Sequence, residues 1–125
     1  MSHKPPGQTA VTPYLSVSDP LRLIDFITTV FQGELLERYT DESGAIRHAR
    51  MRLDDAILEL SGANEQWPAT PAALHVYVPD VDATHARALA AGAHQLHPPM
   101  DQPYGERSSA VRDSNGNNWY IARFG

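Results

Sequence analysis

The sequence has no cysteine, few basic residues and no long apolar run, and each absence excludes a class of protein. Without cysteine the chain has no disulfide, no thiolate metal ligand and no cysteine nucleophile. Lysine and arginine total 10, they form no cluster, and the formal net charge is −5, which argues against nucleic-acid binding. No apolar run approaches the ~20 residues of a membrane span. Because no secretory signal pattern is present either, we expect a cytoplasmic protein without a membrane partner.

Two further motifs are missing. No serine is set beside a histidine and an acid in a nucleophile elbow, and Gly105-Glu106-Arg107 lacks the glycine pattern that cradles phosphates.

Apolar residues make up 42% of the 125 residues, which is enough to bury a core unaided. We therefore expect one domain over residues 11–125, preceded by a flexible tail over residues 1–10 that shows no periodicity.

The clearest local pattern is a buried strand that leads into an alanine-rich helix. Leu74, Val76 and Val78 alternate with residues of the other face, as in a strand with one side in the core. Asp80 or Asp82 is placed to cap the following helix, and Gly92 can adopt the left-handed turn that ends it.

The same plan occurs earlier in the chain, over residues 14–33. Val17 precedes Val78 by 61 positions, and the same offset carries residues 58–60 onto residues 119–121. The sequence therefore predicts two copies of one structural unit.

Alternating segments between turn residues predict the remaining strands. The first half reads as strands over 11–17, 35–39, 45–53 and 56–61 around a helix that starts at Pro20 and ends at Gly33. The second half reads as strands over 72–78, 94–97, 107–112 and 117–123 around a helix over 81–91, with the proline-rich residues 97–106 as a connection. The predicted class is α+β, with βαβββ module one over 11–62, a connector over 63–71 and module two over 72–125.

The segments VSD, VPDVDATHARALAAGA, YGERS and DSNGNNWYIARF together resemble the glyoxalase and bleomycin-resistance (vicinal oxygen chelate) superfamily, particularly its PhnB-like and antibiotic-binding members. The resemblance covers residues 11 to 124. It implies that the two modules form an open, cup-shaped mixed sheet with the helices outside. It also implies a homodimer, in which strands of both modules and sometimes of both chains complete each cup.

Enzymes of this superfamily hold a divalent metal ion with ligands at four fixed positions. Carried over one by one, these positions fall on Thr12, Glu59, Ala73 and Tyr120. Since Glu59 alone among them is a metal ligand of the family's type, we expect no metal and no other cofactor. His48, His75 and Glu59 leave a two-histidine, one-carboxylate site open as an alternative.

The face of each sheet opposite the leucine and valine residues should line the cup, and it is polar and aromatic. Trp67 of the connector and the YGERS segment, which resembles part of the drug pocket of antibiotic-binding members, extend this surface. The predicted ligand-binding residues are Tyr14, His48, Arg50, Glu59, Trp67, His75, Tyr77, Tyr104, Arg107 and Tyr120. Arg50 and Arg52 favour an anionic or carbonyl-bearing ligand, whereas the negative net charge favours a cationic one.

Three functions follow as hypotheses. The leading one is a dimeric protein that sequesters a flat, partly aromatic small molecule without a metal, because aromatic faces stack on flat ligands. The alternative is a lyase, isomerase or dioxygenase that uses Glu59 as a general base or metal ligand. In the third, side chains fill the cup and the dimer serves stability alone.

Overall fold

The computed structural model describes residues 3–125 and contains two βαβββ modules in chain order. Module one comprises β1 (Tyr14–Val17), α1 (Pro20–Phe31), β2 (Glu34–Thr40), β3 (Ile46–Leu53) and β4 (Ala56–Gly62). Module two comprises β5 (Ala73–Tyr77), α2 (Val81–Ala90), β6 (His94–Asp101), β7 (Glu106–Arg112) and β8 (Asn118–Phe124). The predicted class and order of elements are confirmed. No helix within residues 3–125 is long and apolar enough to cross a membrane.

Each module forms its own four-stranded mixed sheet. Sheet one has the strand order β1-β4-β3-β2, and sheet two has the order β5-β8-β7-β6. The first strand of each module pairs in parallel with its last strand, with Tyr14 opposite Glu59 and His75 opposite Tyr120. Tyr14 and His75 are 61 residues apart in the sequence, and so are Glu59 and Tyr120. The predicted repeat is therefore present in the strand register.

Both helices begin at an aspartate that accepts a hydrogen bond from a backbone amide of the first turn. Asp19 accepts from the amide of Arg22 at 3.2 Å, and Asp80 accepts from the amide of Ala83 at 3.0 Å. These bonds satisfy donors that have no partner within the helix. The same capping residue thus sets the start of the helix in both modules.

The end of α1 differs from the prediction. The helix ends at Phe31, and Gln32 rather than Gly33 adopts the left-handed conformation, with φ of 57°. Gly33 is required for another reason, because a Cβ atom there would lie 2.6 Å from Cγ2 of Ile27. Glycine at this position therefore permits close packing of the chain against α1.

One core holds the two modules together. The rings of Phe26 and Phe31 in α1 lie 5.8 and 5.0 Å from the ring of Trp119 in β8, which is fully buried. Arg87 of α2 donates a hydrogen bond to the carbonyl of Val30 in α1. The helices and the apolar faces of both sheets share this core. The opposite face of each sheet, called its open face below, carries the polar and aromatic side chains.

Strand β6 extends further than the prediction, which ended at residue 97. It continues through Pro98 and Pro99 to Asp101 as an edge strand that pairs with β7. The register shifts between Gln95 and His97 and again between His97 and Met100. Proline is compatible with an edge strand because the missing N–H can face outward. The prediction that this strand ends at residue 97 is therefore wrong.

A buried carboxylate organises the turn between β7 and β8. Asp113 is 5% exposed and accepts hydrogen bonds from the backbone amides of Asn115 and Asn117. It also accepts from the indole Nε1 of Trp119 at 2.8 Å. Oδ1 of Asn117 then accepts from the amide of Ala72, just before β5. This turn thus also fixes the central tryptophan of the core.

Replacing Asp113 by asparagine should lower the free energy of unfolding by about 1.5–3 kcal/mol, the usual value of a hydrogen bond to a charged group. The new amide directs N–H groups toward donors that now bond to carboxylate oxygens. Chemical denaturation measures the effect. Asp25→Asn, at an exposed position of α1, is the matched control and should change stability by less than about 0.5 kcal/mol. Equal stability of Asp113→Asn and the wild type would contradict this account.

Candidate functional site

The open face of sheet one carries a polar cluster around Glu59. His48 Nε2 lies 2.7 Å from Glu59 Oε1, and Gln8 Nε2 donates to Glu59 Oε2 at 3.2 Å. Because a carboxylate only accepts, the His48 Nε2 atom carries the proton of this bond. The Glu59 side chain is 24% exposed, and both of its oxygens are engaged by protein donors. β3 and β4 position this pair by placing His48 and Glu59 on the same face.

Gln8 belongs to this cluster although it is not among the predicted site residues. Its side chain donates to Thr12 Oγ1 and to Glu59, and its Oε1 accepts from Arg50 Nη1 at 2.9 Å. Gln8 is 9% exposed. No periodic pattern surrounds it in the sequence, so pattern analysis could not single it out. Met1 and Ser2 of the predicted tail lie outside the described residues.

Arg50 is paired within the protein. Its Nε lies 3.0 Å from Glu37 Oε1, and its Nη2 donates to Glu37 Oε2 at 3.3 Å. Together with the bond to Gln8, these contacts compensate its charge. Arg50 is therefore less available to an anionic ligand than the sequence indicates.

The open face of sheet two carries a second cluster, around Glu106. The Tyr77 hydroxyl donates to Glu106 Oε2 at 2.6 Å, and His75 Nε2 lies 3.7 Å from Glu106 Oε1. The rings of His75 and Tyr77 meet edge to face, with centroids 4.8 Å apart. The hydrogen bond to Glu106 raises the pKa of the Tyr77 phenol, since ionisation would remove the donated proton and set two negative charges together. Glu106 was not among the predicted site residues.

Two clefts meet at Tyr14. The first measures about 540 Å³ and is lined by residues of β1 and β5, including Tyr14, His75 and Tyr77. The second measures about 600 Å³ and is lined by Tyr14, Ser16 and the connector residue Trp67. Both volumes fall in the range of small-molecule pockets. The structure therefore brings four of the predicted aromatic or imidazole side chains to these two clefts.

Six predicted residues line neither cleft, and three of them, His48, Arg50 and Glu59, form the cluster on sheet one. The other three lie elsewhere. Tyr120 is on the open face of sheet two, opposite His75 in the register. Tyr104 is exposed in the turn before β7. Arg107 is outside the open face, because successive residues of β7 alternate in direction and Glu106 occupies that face. The guanidinium of Arg107 instead bonds to Asp82 and Asp101.

The metal-site alternative is not assembled in this chain. His48 and Glu59 belong to sheet one, whereas His75 belongs to sheet two and lies beside Glu106. Among residues 3–125, no group of three or more histidine, aspartate and glutamate side chains is arranged to hold a metal ion. His48, His75 and Glu59 are thus not grouped as a two-histidine, one-carboxylate site.

The fold and sequence place the chain in a known superfamily. The model of the Glyoxalase/Bleomycin resistance protein/Dioxygenase superfamily matches residues 7–121, and the chain belongs to that superfamily, as the resemblance predicted. The uncharacterized protein Mb0911c of Mycobacterium bovis is 32% identical over 127 residues, covering 93% of this chain and 84% of that protein.

Two solved structures are similar over most of the chain. TioX from Micromonospora sp. ML1 has 32% sequence identity and a TM-score of 0.78, covering 92% of this chain and 98% of TioX. The PhnB protein from Bacillus cereus has 17% identity and a TM-score of 0.70, covering 92% of this chain and 99% of that protein. The second similarity shows the fold alone.

Spectroscopic titration tests the Tyr77–Glu106 hydrogen bond. We expect the Tyr77 phenol to ionise at a higher pH than free tyrosine, because the folded protein stabilises the protonated hydroxyl that donates to Glu106. Ultraviolet absorbance of phenolate gives the titration curve, and Tyr77→Phe identifies the Tyr77 contribution. In Glu106→Gln the pKa of Tyr77 should fall back toward its ordinary value. An unchanged titration in that variant would show that Glu106 is not the cause.

Proposed function

We propose that this protein binds and sequesters a flat, partly aromatic small molecule without a metal ion. The observation that carries the proposal is the position of Tyr14, a residue that is 56% exposed and lines both clefts. His75 and Tyr77 line the first cleft beside it, and Trp67 lines the second. Exposed rings around a cleft of this size provide stacking surfaces for a flat molecule. Superfamily membership and the similarity to TioX are compatible with ligand binding.

The bonding of Glu59 supports binding rather than proton abstraction. A general base needs a lone pair within hydrogen-bond reach of the substrate proton. In this chain His48 and Gln8 already donate to the two oxygens of Glu59. These bonds lower the ability of the carboxylate to act as a free base.

One observation favours an enzyme as the second candidate. His48 is partly exposed, and its bond to Glu59 is the arrangement in which a carboxylate orients an imidazole for proton transfer. A lyase or isomerase reaction could use this pair. The alternative is therefore tested together with binding.

Binding can be tested with bleomycin, mitomycin C and acridine as flat or partly aromatic probes. For any probe that binds, Tyr14→Ala and Tyr77→Ala should each weaken affinity by about 1–3 kcal/mol, because a buried stacking contact is lost. Calorimetry measures the affinities. Tyr39→Ala removes an exposed tyrosine of β2 that lines neither cleft and is the matched control. Failure of all three probes to bind would contradict the proposal.

The same samples separate sequestration from catalysis. After incubation with the wild type and with Glu59→Gln, mass spectrometry should recover each bound probe unchanged. Glutamine keeps the shape of the side chain but cannot take a proton at neutral pH. Product formed by the wild type and not by Glu59→Gln would favour the enzyme instead.

We also propose a homodimer as the functional form. Tyr14, Tyr77, Tyr120 and Phe124 are exposed, and each is aromatic. Strands β2 and β6 are sheet edges, and such edges tend to be covered by pairing or by another chain. A second copy would cover part of this aromatic surface and close the clefts further.

Light scattering tests the assembly directly. At micromolar concentration the measured mass should be twice the 13.8 kDa of one chain. A mass of one chain would contradict the dimer.

A further inference from the structure

The charged residues that line the first cleft are acidic. Asp54 and Asp55, at the turn between β3 and β4, contribute to its wall. Within the described residues 3–125, the lining of this cleft includes no lysine and no arginine. A ligand group in the cleft would therefore lie near negative charge that no basic lining residue compensates.

A third carboxylate, that of Glu106, is hydrogen-bonded to an aromatic residue that lines the same cleft. Glu106 accepts from the hydroxyl of Tyr77, and both Tyr77 and His75 line the cleft. The Glu106 side chain is 11% exposed, so solvent screens its charge less than that of a surface residue. Its Oε2 is occupied by Tyr77, whereas its Oε1 has His75 Nε2 at 3.7 Å, beyond a normal hydrogen bond. Oε1 thus keeps acceptor capacity.

The rings themselves favour the same kind of ligand. Tyr14, His75 and Tyr77 line the cleft, and the faces of aromatic rings carry negative potential. A cation placed over such a ring is attracted by it, most strongly where water is displaced. Aromatic rings combined with a nearby carboxylate are suited to an ammonium group rather than to an anion.

Arg50 and Arg52, the two basic residues that pointed to an anionic ligand, do not line the first cleft. Arg50 is bonded to Glu37 and Gln8 on sheet one. Arg107 is bonded to Asp82 and Asp101. Arg107 does not line the first cleft either.

We infer that the first cleft binds a cationic ligand, with a protonated amine or quaternary ammonium group near Glu106 and the Asp54–Asp55 turn and a flat body against the rings. The inference rests on the proposed binding function and adds the charge of the ligand. It replaces the two opposed indications from the sequence by one derived from the lining of the cleft.

Three tricyclic probes of matched size and flatness test the charge. N-methylacridinium is a cation, acridine is uncharged at neutral pH, and anthracene-9-carboxylate is an anion. Calorimetric or fluorescence titration of the wild-type protein should give an affinity for N-methylacridinium about tenfold above that for acridine. Anthracene-9-carboxylate should bind more weakly than acridine, because the carboxylates repel it.

Variants test whether the preference arises in this cleft. In Glu106→Gln the ratio of the affinities for N-methylacridinium and acridine should fall toward one. The double variant Asp54→Asn/Asp55→Asn should lower the same ratio, and it remains informative if Glu106→Gln does not fold. Glu34→Gln removes one negative charge from an exposed position of β2 that does not line the cleft. It controls for net charge and should leave the ratio unchanged.

Each outcome distinguishes the inference from the function on which it rests. Equal wild-type affinities for N-methylacridinium and acridine would overturn the charge inference and leave binding intact. A cation preference that persists in both the Glu106 and the Asp54/Asp55 variants would overturn its assignment to this cleft. Failure of all three probes to bind would contradict the proposed function, and the inference with it.

Discussion

The packing of Trp119 between the two modules is the contact on which the rest of the structure depends. Its ring lies against two phenylalanines of α1 in the other module, and its N–H is fixed by the Asp113 carboxylate. An indole in this position needs both an apolar enclosure and an acceptor, and the chain supplies one from each half. Because the apolar faces of both sheets pack into this shared core, the opposite faces carry the polar and aromatic side chains.

The two modules have equivalent strand registers, but their open faces carry different side chains. Each face has a carboxylate beside a histidine, but Glu59 lies on β4 and Glu106 lies on β7. At the position equivalent to Glu59 the second module has Tyr120. The repeat therefore constrains the backbone and its packing, whereas the chemistry of each face was set separately.

Much of the fold could be predicted because alternation indicates which side chains of a strand are buried. The fixed offset indicates which segments repeat the same structure. The same alternation placed Tyr14, His48 and Glu59 on one face, as the register confirms. It could not show that Gln8 reaches Glu59, since a contact across 51 residues from a segment without periodicity leaves no local pattern. The resemblance of YGERS to a drug-pocket segment does not show which of its residues lie on the open face. It predicts Arg107, whereas Glu106 is the residue that lies on that face.

The two prolines of β6 have a consequence for how the molecule avoids unwanted self-association. Neighbouring residues of a strand direct their N–H groups to opposite sides, so Pro98 and Pro99 remove one donor facing β7 and one facing outward. The register shift between His97 and Met100 accommodates the inward loss. The outward loss leaves a gap in the donor row that a further strand would need for continuous pairing. The β6 edge of sheet two is thereby less suited to continuous pairing with a further strand.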